Sequence, residues 1–277
     1  HKHADDFNFQ LCHNSHPVFV DTGTFTYQYD LPERIYAEST RAHNCLEIDN
    51  CNYSRFNKDT FRSGIRRVTN LGDCIVIDSF ALRKRLMPSH LPNVKLKLSD
   101  AITVNIGHKR VMLYHPDNYL VVIDVMSSKD EHEYTQWFNL AENLSVVNDI
   151  SNIKLVNPDK KHIASVTYVG ESLLGTKLIN GEVEPRLQGW LSNDGHTLTA
   201  RDSIGFMTKG GNMTLTTVID FRPHKSRKLF FKSGTNGKYL RFKIAGVGES
   251  IDFVYRDNNG SLELSYQNGE LFHEGVL

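Results

Sequence analysis

Residues 109–125 read KRVMLYHPDNYLVVIDV. Two β-type runs, 109–114 and 119–125, lie on either side of the turn-forming segment His115-Pro-Asp-Asn118. β-Branched and aromatic side chains at this density are typical of strands, and a short polar segment between two such runs favours a tight connection. The stretch therefore predicts a β-hairpin and a fold built from sheets.

The same pattern continues outward from this hairpin in both directions. Short runs with a two-residue period are separated by turn formers such as Asn180-Gly181 and Asn193-Asp-Gly195. Helical periodicity is weak and is confined to residues 79–87 and the stretch around 136–143. The sequence predicts an all-β protein, a large antiparallel β-sandwich with a C-terminal hairpin layer.

The character of the chain changes after about residue 220, where one hairpin pattern follows another. We predict a β-sandwich over residues 1–220 and the hairpin layer over residues 221–277, both belonging to the same domain. A small separate β-domain at 221–277 is the alternative.

Composition narrows the functional classes. The chain has 277 residues, with 32 Lys and Arg against 32 Asp and Glu, so its formal net charge is zero. A balanced charge does not indicate a nucleic-acid-binding protein, and no window is apolar enough for a membrane-spanning helix.

Four cysteines include no Cys-x-x-Cys pair, and we expect buried free thiols rather than disulfides. They are Cys12, Cys45, Cys51 and Cys74.

The 13 histidines are unevenly distributed, with five of them in the first 43 residues. On an extended strand His1 and His3 project to one side, about 6.5–7 Å apart, so two imidazoles can share one site. Asp21 ends an apolar run and needs compensation if it is desolvated. Together with His43, these residues form a set of histidines and one aspartate that suits zinc. The alternatives are a solvated His-x-His edge and an Asp21 that caps a turn.

Three motifs occur in order near the start of the chain. They are HKHADDFNFQL at 1–11, VFVDTGTFTY at 18–27, and RIY at 34–36 with STRAHN at 39–44 and Glu47-Ile-Asp49. In order and spacing they resemble the heparinase II/III-like family of polysaccharide lyases. Similar pieces follow at 110–124, 132–138, 189–192 and 214–219. The resemblance covers about residues 1–220 and is strongest over 1–50.

In that family an N-terminal (α/α) toroid precedes a β-sandwich, and the active cleft lies between them. The resemblance implies that this chain is the sandwich portion, inactive alone, with the toroid of the same protein as its partner. It also implies an acidic polysaccharide substrate, cleaved beside a uronic acid by β-elimination, and a periplasmic or secreted location. No nucleic-acid partner and no membrane span are expected in this segment.

The resemblance also implies roles for individual residues. The functional histidine of the family's Gly-His-x-His motif matches His1, which makes His1 the catalytic candidate. The structural zinc ligands of some members match His3, Asp21 and His43. The family's Tyr acid and its neutralising Asn or His lie in the toroid, so neither is assigned here.

Three further residues near this cluster are candidates for substrate binding. Arg41 is a candidate for bidentate binding of a carboxylate or sulfate, with an ion pair to Glu38 as the alternative. Asn44 either contributes to the site or caps a turn, and Tyr27 either lines a sugar cleft or packs in the core.

Three hypotheses from different classes remain. The first is the sandwich of a polysaccharide lyase, and the second is a non-catalytic carbohydrate-binding or assembly module in surface or capsular polysaccharide production. The third is a cupin-like metal enzyme, because cupins also use His-x-His and a later histidine. A cupin core is shorter, and the Glu expected after His-x-His is replaced here by Asp5-Asp6.

Overall fold

The computed structural model describes residues 2–92, 95–149, 152–170, 172–222, 228–233, 239–246, 249–258, 261–268 and 271–276. Within these residues there are 22 strands and very little helix. The helical elements are α1 (Pro32–Ala37), α2 (Asn57–Thr60) and two 3-10 turns, Thr40–Ala42 and Leu98–Asp100.

Thirteen strands form one large sheet whose described pairings are antiparallel. Listed in spatial order, they are β10 (Ser145–Asp149), β11 (Asn152–Val156), β12 (His162–Tyr168), β17 (Met213–Asp220), β8 (Tyr119–Ser127), β7 (Ile102–His115), β6 (Cys74–Pro88), β4 (Cys51–Tyr53), β3 (Leu46–Ile48), β9 (His132–Asn139), β16 (Asp202–Gly210) and β13 (Gly175–Asn180), with β5 (Gly64–Leu71) paired to β6.

The hydrophobic core joins the two halves of this sheet. Phe138 of β9 packs edge-on against Phe206 of β16, with ring centroids 6.1 Å apart. Both belong to a buried cluster that includes Val122 of β8 and Val166 of β12. Since β8 and β12 lie on one side of the strand order and β9 and β16 on the other, the sheet folds back on itself. The predicted all-β sandwich is confirmed.

The predicted hairpin at residues 109–125 is the β7–β8 pair. Asn118 donates its backbone N–H to the carbonyl of His115 across the turn, at 3.1 Å. Arg110 of β7 lies directly opposite Asp124 of β8. Residues 119–124 are all buried, so side chains on both faces of β8 are covered by protein. Burial of both faces explains why this run is almost continuously apolar.

Smaller sheets complete the described chain. β1 (Leu11–His13) pairs with β2 (His16–Phe19), and β14 (Trp190–Leu191) pairs with β15 (Thr199–Ala200). A five-stranded sheet contains β18 (Lys228–Ser233), β19 (Tyr239–Gly246), β20 (Glu249–Asn258), β21 (Ser261–Asn268) and β22 (Leu271–Val276), paired in sequence order. The succession of hairpins after residue 220 is thus present, and its assignment to the same domain stays a prediction.

The two weak helical predictions were wrong. Residues 79–87 lie in β6, which pairs with both β5 and β7, and residues 136–139 lie in β9. Pairing on both sides of β6 outweighs a weak local periodicity. Helix α1 was not predicted; its start is marked by a proline at the first helical position, which helices favour.

None of the four cysteines, all within the described residues, forms a disulfide; Cys45, Cys51 and Cys74 are buried as predicted, whereas Cys12 is exposed. In the part of the chain that the structure describes, no helix has the length and apolarity needed to cross a bilayer.

Candidate functional site

Hydrogen bonds of Asn44 connect its own loop to the N-terminal segment and to β9. Its amide donates to the carbonyl of Phe9 at 2.8 Å, and its oxygen accepts the backbone N–H of Asn139 in β9 at 2.7 Å. The backbone N–H of Asn44 donates to the side chain of Asn8 at 3.0 Å. These bonds bring the N-terminal segment against the loop that carries His43.

Three of the predicted site residues meet at this junction. His43 is fully buried, and its Nδ1 lies 2.9 Å from Oδ2 of Asp21. The ring centroid of His3 lies 5.4 Å from that of His43, with the rings tilted by 42°. Asp21 also accepts hydrogen bonds from the side chain of Asn8 at 2.7 Å and from the N–H of Gly23 at 2.8 Å.

The charges in this cluster are set by burial and by these bonds. Burial opposes ionisation of Asp21, but the bond to His43 and the N–H of Gly23 outweigh it and lower the pKa of Asp21 to about 2. Burial, and then the charge of neighbouring His43, lower the pKa of His3. At neutral pH the cluster therefore contains an ionised carboxylate beside a neutral His3 imidazole, which has a lone pair available for a proton or a cation.

The donor types at this junction suit zinc. The buried Nε2 of His43 has no hydrogen-bond partner among the described residues, so it is available as a ligand. Asp21 is bonded to the other ring nitrogen of His43. Within the described residues no group of three or more His, Cys, Asp or Glu side chains is arranged to hold a metal ion. Zinc at His3, Asp21 and His43 therefore stays a prediction.

A cleft of about 440 Å³ opens beside this cluster. Its volume lies in the usual range for small-ligand sites. Tyr27 has 66% of its surface exposed and forms part of the cleft wall. The lining residues are Lys2, His3, Asp5, Asp21, Thr24, Tyr27 and Arg34. His1, the predicted catalytic residue, lies outside the described residues.

Arg41 and Asn44 are buried and are not among the described residues that line this cleft. Nε of Arg41 donates to the carbonyl of Leu187 at 3.0 Å, and its guanidinium lies 5.7 Å from the ring centroid of Tyr36. Burial lowers the pKa of Arg41 to about 10. Glu38, the alternative partner considered for Arg41, instead forms ion pairs with Arg34 and Arg55.

The sequence model of a family described as heparinase II/III-like, C-terminal, matches residues 1–229. The chain belongs to this family. The match covers the whole thirteen-stranded sheet and the junction of His3, Asp21 and His43. No curated protein sequence matches the chain.

Solved structures share the fold of this heparinase II/III-like domain. A crystal structure of heparinase III superposes with a TM-score of 0.68 at 17% identity, over 92% of this chain and 36% of that one. The heparan sulfate lyase HepC from Pedobacter heparinus gives a TM-score of 0.64 at 15% identity, over 99% of this chain and 37% of that one. This chain thus spans little more than a third of either protein.

The heparinase II/III-like domain also contains a buried polar network that sequence analysis missed. Asp124 accepts two bonds from Arg110, at 2.8 and 2.7 Å, and one from Nε2 of His108 at 2.9 Å. Nη1 of Arg110 then donates to the carbonyls of Phe7 at 3.0 Å and Asn44 at 2.6 Å. The network therefore links the β7–β8 hairpin to the two segments that carry the candidate site.

His108 is held in its neutral form by this network. Arg83, which can only donate, contacts Nδ1 of His108 at 3.2 Å, so Nε2 carries the proton that Asp124 accepts. Burial outweighs the attraction of Asp124 and lowers the pKa of His108 to about 4. The one hint in the sequence was the presence of Arg110 and Asp124 in otherwise apolar runs, because charges there require partners.

Proposed function

We propose that this chain is the β-sandwich part of a polysaccharide lyase that cleaves uronic-acid-containing glycans by β-elimination. The match of the family model to residues 1–229 carries the proposal. The cleft beside His3 and Asp21 supports it, because it lies at the N-terminal motif that the resemblance marks as functional. We also propose that the active cleft is shared with an N-terminal toroid domain and that the protein is periplasmic or secreted.

β-Elimination requires three groups around the uronic acid. One neutralises the carboxylate, which makes the C5 proton acidic; a base then removes that proton. The electron pair of the C5–H bond forms the C4=C5 double bond, the C4–O4 bond breaks, and an acid protonates O4. No water is consumed.

We assign His1 to the carboxylate-binding or base role. An imidazole titrates near neutrality, which suits both tasks. Its neighbour in sequence, Lys2, lines the cleft. The acid is proposed to come from the toroid domain.

Zinc held by His3, Asp21 and His43 would stabilise the junction between the N-terminal segment and the loop at His43. We assign it a structural role, so no step of the elimination passes through it. Among the predicted substrate-binding residues, Tyr27 is favoured for sugar contact because it is exposed in the cleft. Arg41 and Asn44, the other two predicted substrate-binding residues, are less favoured because both are buried and neither is among the described residues that line the cleft.

The proposal is tested with the complete protein and a panel of uronate polysaccharides, by following the ultraviolet absorbance of the unsaturated product. We expect product formation by the wild type and a loss of at least roughly a hundredfold in kcat for His1→Ala, because general acid–base groups contribute about that much. The thermal unfolding midpoint should change little. Binding of a glycan without any product would instead identify a non-catalytic carbohydrate-binding module.

A further inference from the structure

The guanidinium of Arg34 belongs to the cleft but has no role in the function proposed above. The side chain lies on α1 and is 1% exposed, yet it forms part of the cleft wall. Nη2 forms an ion pair with Glu38, one helical turn further on. Nε and Nη1 are buried and have no hydrogen-bond partner among the described residues.

Unpaired buried donors are costly, and those of a charged group more so. Glu38 does not relieve this fully, because its Oε1 pairs with Nη2 of Arg34, while its Oε2 accepts a bond from Nη2 of Arg55 at 3.3 Å. Two arginines therefore share one carboxylate. Arg34 retains donors that a further anionic oxygen would satisfy.

Two tyrosine rings lie close to the guanidinium of Arg34. Its central carbon lies 5.8 Å from the ring centroid of Tyr27 and 5.7 Å from that of Tyr29. These distances suit cation–π contacts, which hold a guanidinium plane in place. The exposed ring of Tyr27 also offers a flat surface at the cleft.

The geometry points to Arg34 as a specificity residue that binds an anionic group of an acidic sugar in the cleft. Planar guanidinium donors match the paired oxygens of a carboxylate or sulfate, and such charge-assisted bonds are about twice as strong as neutral ones. The other charged groups that line the cleft do not fill this role: Asp5 and Asp21 are acidic and do not attract an anion, and Lys2 already pairs with Asp6 at 3.0 Å. This inference rests on the proposed function, since it names the part of the substrate that the same cleft recognises.

The test is equilibrium binding by calorimetry in a His1→Ala background of the complete protein, so that no ligand is consumed. Three tetrasaccharides serve as probes: an unsulfated uronate–hexosamine chain, its carboxyl-reduced form, and an N- and O-sulfated form. We expect the unsulfated acidic chain to bind roughly tenfold or more tightly than its carboxyl-reduced form, and Arg34→Gln to abolish that difference. If only the sulfated chain binds more tightly, and Arg34→Gln removes that increase in affinity, the contact is with sulfate.

Arg55→Gln is the matched control, because Arg55 shares Glu38 but is not among the described residues lining the cleft. It should leave all affinities within about twofold of the parent. Arg34→Lys keeps the positive charge but not the planar guanidinium, so it should retain only part of the preference for the acidic over the carboxyl-reduced chain. This variant provides the test if Arg34→Gln fails to fold. Equal binding of acidic and carboxyl-reduced chains with no sulfate preference, or an unchanged preference in a folded Arg34 variant, overturns the inference. Preserved binding without unsaturated product from the His1-containing enzyme overturns the proposed function alone.

Discussion

His43 is the residue on which the candidate site depends most. One ring nitrogen is bonded to Asp21, and the other is buried without a partner among the described residues. A buried unpartnered nitrogen costs free energy unless something binds it. Its neighbour His3 supplies a second imidazole at a ring distance of 5.4 Å. Binding of one zinc ion by all three side chains would require the bond between Asp21 and Nδ1 of His43 to rearrange, because the unpartnered nitrogen is Nε2.

The first prediction concerns this metal. We expect elemental analysis of protein purified without chelator to show about one zinc per chain, and His43→Ala and Asp21→Ala to lose it. Each variant should also lower the free energy of unfolding by about 1–3 kcal/mol, because buried polar partners are left unsatisfied. His196→Ala, which removes an exposed histidine, is the control. A wild type free of zinc and of any other bound cation would contradict the metal assignment.

The second prediction concerns His108 and pH. Its pKa is about 4 in the folded protein against an ordinary value of 6.5. Between these values the unfolded chain binds a proton that the folded chain does not, so stability is present above pH 6.5 and falls as pH drops towards 4. The difference of 2.5 units (6.5 − 4) corresponds to a contribution on the order of 3 kcal/mol.

This contribution is measured by urea unfolding at several pH values. His108→Gln should reduce the fall in unfolding free energy between pH 6.5 and pH 4, whereas the exposed-site control His196→Gln should keep the wild-type slope. The same slope in wild type and His108→Gln would rule out His108 as its source.

At the scale of elements, the β7–β8 hairpin supports both the core and the site. Asp124 and Arg110 face each other across the two strands, and Arg110 reaches the carbonyls of Phe7 and Asn44. Both charged side chains are buried. Removing one member of such a pair leaves an uncompensated charge in a medium of low polarity.

The third prediction follows from this pair. Asp124→Ala should lower the free energy of unfolding by roughly 3–5 kcal/mol. The double variant Arg110→Met, Asp124→Ala should be less destabilised than Asp124→Ala alone, because no buried charge remains unpaired. Denaturant unfolding of both proteins gives the comparison. A double variant less stable than Asp124→Ala would show that the bonds of Arg110 to the backbone matter more than its charge.

Sequence patterns predicted an element correctly where several local signals coincide. The hairpin at 109–125 was predictable because apolar strands and a polar turn coincide there. Residues 79–87 were misread because strand pairing on both sides of β6 is invisible in a single sequence. The burial of Arg41 and the position of Arg34 in the cleft depend on tertiary packing between distant segments, which spacing along the chain does not encode.

At the scale of the whole molecule, one thirteen-stranded sheet folds on itself and presents its cleft near the start of the chain. The formal net charge of the chain is zero, so an acidic ligand would have to be bound by local donors. In the role we infer for it, Arg34 supplies such donors in the cleft. The five C-terminal strands pair in sequence order, and their assignment to the same domain remains a prediction.

Product analysis in 18O-labelled water decides whether the complete protein breaks glycosidic bonds by β-elimination. The complete protein is incubated with uronate oligosaccharides, and the products are weighed by mass spectrometry. We predict one product with a C4=C5 double bond, and product masses that add up to the substrate mass with no water added, apart from slow 18O exchange at the new reducing end. If every product is saturated and each cleavage adds the mass of one labelled water, the protein is a hydrolase and the proposal is contradicted.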